Sequence, residues 1–130
     1  SKNGISTALR DYVVRATAET KMRIFEKYLA PDEIRFMRAH YGERAMEWPQ
    51  LMADVRDAID AGARPASPEG RALAQRWLEL FCSYAGHDSA THAKFRAAMM
   101  NEPALTQDTW VDDTLIGFVR EAMAQLAPAR

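Results

Sequence analysis

The side chains of this 130-residue chain that could carry chemistry are few: one cysteine, Cys82, three histidines, His40, His87 and His92, and scattered carboxylates. A hydrolytic zinc site needs two histidines one helical turn apart with a glutamate beside the first. A structural zinc site needs cysteines or histidines paired at short spacing, and neither pattern occurs. His87, Asp88 and His92 fall close enough to form part of a polar site. The alternative is a loop histidine followed by a helix-face histidine, a common situation for a residue type of intermediate burial. Cys82 lies in an apolar stretch with no lysine or arginine at adjacent helical spacing, where thiols are usually inert core residues. No nucleophile elbow, phosphate loop or dinucleotide fingerprint is present, and the glycines fall at the ends of the helices read below. The carboxylate pairs Asp57/Asp60 and Asp112/Asp113 sit on otherwise polar faces and read as solvated surface. The sequence therefore assigns no catalytic residue, no metal and no cofactor, and it points to a protein that binds.

The aromatic and methionine residues are the population that could do the binding. Trp48, Trp77 and Trp110, with Phe36, Phe81, Tyr84, Phe95, Met99 and Met100, exceed what a small bundle needs to close its core. Polarisable, adaptable side chains of this kind suit flat, bulky ligands. Ordinary core packing is the competing reading for any one of them; as a set, some are expected to line a pocket.

The elements that must position them read as helices throughout, because alanine, leucine, methionine, arginine and glutamate dominate and no strand-like alternation occurs. The fold class expected is all-α, a single domain of about six helices with a long N-terminal one. That first helix runs from about Ser6 to Leu29 and is ended by Ala30-Pro31. Its narrow apolar seam, flanked by Arg10, Asp11, Arg15 and Glu19, suits either a dimer-forming helix or packing on its own domain. Pro31 opens a second helix that stops at Gly42. The third carries the stripe Trp48, Leu51, Met52, Val55, Ala58 and Ile59, with Pro49 in its first turn and Gly62 as its stop. Ser67-Pro68-Glu69 opens the fourth with a serine cap and a proline at the first helical position. Its Leu73, Trp77, Leu80, Phe81 and Tyr84 make it the central helix, closed by Gly86. Asp88 or Ser89 caps the fifth, which ends at Pro103, and the sixth runs from about Trp110 to Leu126.

Composition bounds the rest. Hydrophobic residues make up 48% and charged residues 27%, as in globular proteins, and the net charge of −1 gives no general pull toward nucleic acid. A single cysteine suits a reducing compartment, and no apolar run approaches membrane-spanning length, so a cytoplasmic location without membrane contact is expected. The opening Ser1-Lys2-Asn3-Gly4 reads like a cut point, so the chain is expected to be a piece of a longer protein.

The order Trp48-Pro49-Gln50-Leu51, Gly62-Ala63-Arg64-Pro65-Ala66-Ser67-Pro68-Glu69, then Leu73-Ala74-Gln75-Arg76-Trp77-Leu78-Glu79-Leu80 resembles the TipAS-type antibiotic-recognition domain. His92, Phe95 and Asn101-Glu102-Pro103 look like that family's next helix and its end, so the resemblance covers roughly Ile24 to Leu126. Such domains form the ligand-sensing C-terminal part of a branch of MerR-family transcriptional regulators. They also occur in stand-alone drug-sequestering proteins such as those conferring albicidin resistance. The resemblance implies a globin-like fold with a deep cleft for bulky, often polyaromatic or peptide antibiotics, over which N-terminal helices close in some members. The thiopeptide-binding branch places a drug-bonding cysteine in the loop before the fifth-helix histidine. Counted back from His92, that position here is His87, so reversible binding is expected.

The expected organisation is then an N-terminal helix over residues 1–23, the end of a linker or dimerisation helix, and a ligand-binding domain over 24–130. The expected ligand-binding residues are Phe36, Trp48, Trp77, Phe81, Tyr84, His87, Phe95, Met99 and Trp110. The function this implies is the multidrug-sensing domain of a MerR-type regulator. DNA would be reached only through a domain this chain lacks, and a homodimer would form through the first helix. A stand-alone antibiotic-sequestering protein and a helical protein–protein interaction module are the alternatives, and an enzyme is not expected.

Overall fold

A computed structural model describes residue 9, residues 19–106 and residues 111–126. After a helical stretch over 19–25 come α1 (Pro31–Arg44), a 3-10 turn (Ala45–Glu47), α2 (Trp48–Asp60), α3 (Pro68–Ala85), α4 (Ser89–Asn101), a second 3-10 turn (Pro103–Leu105) and α5 (Asp113–Ala124). No strand occurs among the described residues, and the chain is all-α.

Local chemistry sets most boundaries where the sequence placed them. Ser67 Oγ accepts from Gly70 N at 3.1 Å while donating to Arg64 O at 2.6 Å, so one hydroxyl caps α3 and pins the linker before it. Gly62 and Gly86 end α2 and α3 with φ of +82° and +75°, a region that side chains disfavour. Asp88 caps α4 through Thr91 N at 3.1 Å, and Asp112 caps α5 through Leu115 N at 2.9 Å. Asp112 also accepts from Arg56 at 2.8 Å, so one member of a carboxylate pair read as solvated surface is structural.

Other boundaries differ. Helix α1 runs through Gly42 to Arg44, because Gly42 lacks the positive φ that a glycine stop requires. Gly117 lies inside α5 and Gly70 inside the first turn of α3, so not every glycine marks an end. A Cβ at Gly70 would lie 2.5 Å from Pro65 O and 2.6 Å from Arg64 O; the linker folds back onto this turn. The first helix, expected over 6–29, gives way to turns after residue 25, and of its part before residue 19 only residue 9 is described. The last helix begins at Asp113, and Trp110 lies outside the described residues.

The helices bury two apolar clusters. One joins Leu51, Val55 and Ala58 of α2, Leu73 and Leu80 of α3, and Leu115, Phe118 and Val119 of α5. The other joins Phe25, Leu29, Met37 of α1, Ala85 of α3, Phe95 and Ala98 of α4, and Leu105. Each fully buried Leu, Val or Phe contributes about 1.5–3 kcal/mol, so both clusters are strong local anchors. Helix α3 feeds both, which makes it the central helix. None of the described helices is long and apolar enough to cross a membrane.

Candidate functional site

Between the two clusters the aromatic side chains touch one another in a continuous series. Trp48 and Trp77 meet edge-on with ring centroids 4.9 Å apart, and both pack against the first cluster. Trp48 reaches Tyr84 at 6.5 Å. Tyr84 in turn contacts Tyr41 at 5.1 Å, Phe81 at 5.6 Å and Phe95 at 5.8 Å, on the side of the second cluster. Phe95 contacts Phe81 at 5.3 Å and Phe25 at 5.0 Å. Most of these pairs are edge-to-face, the arrangement that the ring quadrupole favours. Burial pushes the phenols of Tyr41 and Tyr84 up, so both stay neutral. The series is an uncharged aromatic seam laid across the joint between two cores.

Five of the expected ligand-binding residues, Trp48, Trp77, Phe81, Tyr84 and Phe95, stand together in this seam. The structure adds Phe25 and Tyr41, which the sequence did not single out. Phe36 stands apart, 42% exposed, with its ring 4.3 Å from that of His40. Met99 is 37% exposed on α4.

Phe36 and His87 instead share a concavity of about 240 Å³ with Asp32, Glu33, Ala85, Gly86, Asp88 and Thr91. Helix α3 ends at its floor, α1 and α4 begin at its sides, and Phe36 Cε1 lies 4.0 Å from where a Gly86 Cβ would be. Its polar wall is held by Glu33. That carboxylate accepts from Ala30 N at 2.6 Å, capping α1, from Lys94 Nζ at 2.8 Å, and from the buried Thr91 hydroxyl. The Lys94 ammonium, the Thr91 hydroxyl and the Ala30 amide together hold the Glu33 carboxyl down at about 2. Nothing in the sequence marks this cluster beyond an acid in the first turn of a helix, because its partners lie 58 and 61 residues away.

Cys82 is buried beside this region, and burial pushes its thiol up. Its neighbour His92 cannot take the thiol proton through Nε2. That nitrogen lies 2.6 Å from Gly86 O, an acceptor only, so it carries its own proton and donates it there, 3.8 Å from Sγ. Cys82 is therefore a protonated core thiol rather than an activated nucleophile. Among the described residues no three His, Cys, Asp or Glu groups could together hold a metal ion.

The chain is 30% identical over 129 residues to an albicidin resistance protein of Klebsiella oxytoca, a match that covers 94% of this chain and 56% of that protein. The chain thus spans little more than half the length of that relative. Residues 34–125, from the first turns of α1 to the end of α5, match the TipAS antibiotic-recognition domain. That stretch contains both the aromatic seam and the concavity, except for Phe25 and the first residues of α1, and the chain belongs to the TipAS antibiotic-recognition family.

Proposed function

We propose that this domain binds bulky aromatic antibiotics reversibly and neutralises them by sequestration. The observation that carries the reading is the neutral, continuous aromatic seam between two separate apolar clusters. A ligand with planar rings can exchange edge contacts with those side chains without burying a charge. Capture is non-covalent, because His87 occupies the loop position and the thiol of Cys82 is buried and protonated. The name of the Klebsiella oxytoca relative, an albicidin resistance protein, favours a use in resistance, which sequestration would serve.

A regulatory use of the same site is the second reading. It is favoured by the segment before α1, which places Phe25 on Phe95 and Leu29 in the second cluster, so chain preceding the domain is mechanically joined to the seam. In that reading a MerR-type regulator reaches DNA through a further domain and pairs through its first helix.

The test is a titration with albicidin and with a thiopeptide, followed by tryptophan fluorescence in a Trp110→Phe background so that Trp48 and Trp77 carry the signal. Saturable quenching, lost in a folded Trp77→Ala/Tyr84→Ala double variant, is the expected result. Full affinity in that variant would remove the seam from the site.

A further inference from the structure

We infer that Glu33 is a positioning residue beside the aromatic seam, a clamp that ties the beginning of α1, the helix that brings Tyr41 to the seam, to the beginning of α4, the helix that brings Phe95 to it. The inference rests on the proposed binding function for its consequence, but on geometry for its mechanism.

Capping α1 needs only one acceptor, the oxygen that takes Ala30 N at 2.6 Å. Glu33 does more than this: the same carboxylate reaches Thr91 and Lys94 on another helix. Thr91 is the polar residue in the buried set of the described chain, at 7% exposure. Its hydroxyl has a single proton and two carboxylates within reach, Glu33 and, at 3.1 Å, Asp88. Asp88 already holds the Thr91 amide as its own cap at 3.1 Å, and the Thr91 hydroxyl reaches across to Glu33 on the other helix.

The position of the clamp separates it from general support of the fold. Met37 of α1 and Phe95 and Ala98 of α4 belong to the same buried cluster, apart from this clamp. The clamp lies at the open end, where Glu33 and Thr91 themselves line the concavity. Phe36 follows Glu33 by about one helical turn, and His87 and Asp88 lead directly into Thr91. Releasing the carboxylate thus frees the two sides of the concavity, and with them the ends of α1 and α4 beside the seam, without removing the buried apolar residues behind them. It also loosens the first turns of α4, where His92 covers Cys82 and donates to Gly86 O.

The test uses Glu33→Gln, which retains an acceptor for Ala30 N, and Thr91→Val, with Thr91→Ser as the variant that retains the hydroxyl. Two quantities are measured on each folded protein, with helicity checked by circular dichroism. One is affinity for albicidin by tryptophan fluorescence. The other, without ligand, is the rate at which Cys82, the one thiol in the chain, reacts with an aromatic disulfide reagent. Glu33→Gln and Thr91→Val are expected to weaken albicidin binding about tenfold, the scale of one charge-assisted hydrogen bond, and to raise the thiol rate severalfold. Thr91→Ser stays near the parent protein in both. Affinity and thiol rate unchanged in Glu33→Gln and Thr91→Val overturn the clamp. Equal losses in Thr91→Ser and Thr91→Val also overturn it, since they place the effect in packing. If the parent protein binds no albicidin, the functional reading fails separately, and the thiol rate alone decides: faster in the two variants upholds the clamp, and unchanged overturns it.

Discussion

Acid should weaken this fold through Glu33 in a window that can be worked out in advance. Its carboxyl is lowered from an ordinary value of 4.5 to about 2 in the folded chain. A depressed folded value means that the stabilisation is fully present above the unfolded value and is lost as pH falls through the folded one. The window is therefore from 4.5 down to about 2, with half the effect gone near its middle. A shift of this size corresponds to about 3 kcal/mol at most. The Lys94 side chain is 41% exposed, so solvent screening leaves about 1–2 kcal/mol. The assay is urea unfolding, followed by circular dichroism, of the parent protein and Glu33→Gln at pH 7, 5, 3 and 2. Glutamine resembles the protonated acid, so the difference between the two proteins cancels the other carboxylates and isolates this one. It should be about 1–2 kcal/mol at neutral pH and shrink toward zero at the acid end. A difference that stays constant from pH 7 to pH 2 would refute the reasoning.

Gly70→Ala should cost about 1–3 kcal/mol in urea unfolding, because its Cβ meets the backbone oxygens of Pro65 and Arg64 rather than side chains that can move. Gly86→Ala should cost about 1–3 kcal/mol for a different reason: the nearest atom, Phe36 Cε1, is at an ordinary 4.0 Å, but a φ of +75° strains any residue with a Cβ. In the albicidin titration, Trp48→Phe should remove more of the fluorescence change than Trp77→Phe. A signal carried by Trp77 alone would place the ligand away from the contact between Trp48 and Tyr84.

Periodicity carried the fold well, and it did so through local chemistry. Ser67, Asp88, Gly62 and Gly86 act within a few residues of themselves, and each set a boundary that could be read directly. Gly42 misled because a glycine stop depends on φ, which the flanking residues decide, and here the helix continues into a 3-10 turn and α2. The aromatic excess was legible as an excess, and five residues chosen for it came together. Which aromatic residues would join was not legible. Tyr41 and Phe25 enter the seam only because α1 and the segment before it fold onto α3 and α4. Glu33 is one of two acids in the first turn of α1, where an acid suits the helix dipole, and its second role depends on partners about 60 residues away. A cap is written in neighbouring residues, whereas a clamp between helices is written only in the tertiary fold.

The same geometry indicates how a closed seam can admit a large ligand. The rings already satisfy one another, so a drug must replace contacts rather than fill a void. Each aromatic pair is worth about 0.5–1.5 kcal/mol beyond its buried area, and prising apart the tight group of Phe81, Tyr84 and Phe95 would forfeit several at once. Trp48 and Tyr84, with centroids 6.5 Å apart, form the widest contact in the series and join its two halves. Parting them sacrifices least. Trp77, Phe81 and Tyr84 all stand on α3, which feeds both clusters, so the side chain to be moved is Trp48 at the first residue of α2, and the tight group of Phe81, Tyr84 and Phe95 is kept. A ligand favours that shift only by the contacts it makes in the open form and not in the closed one. A small ring gains too few to compensate, whereas a long polyaromatic molecule can meet both halves together. On the proposed binding function, a preference for bulky ligands would follow from this contact, without a preformed cavity of their size.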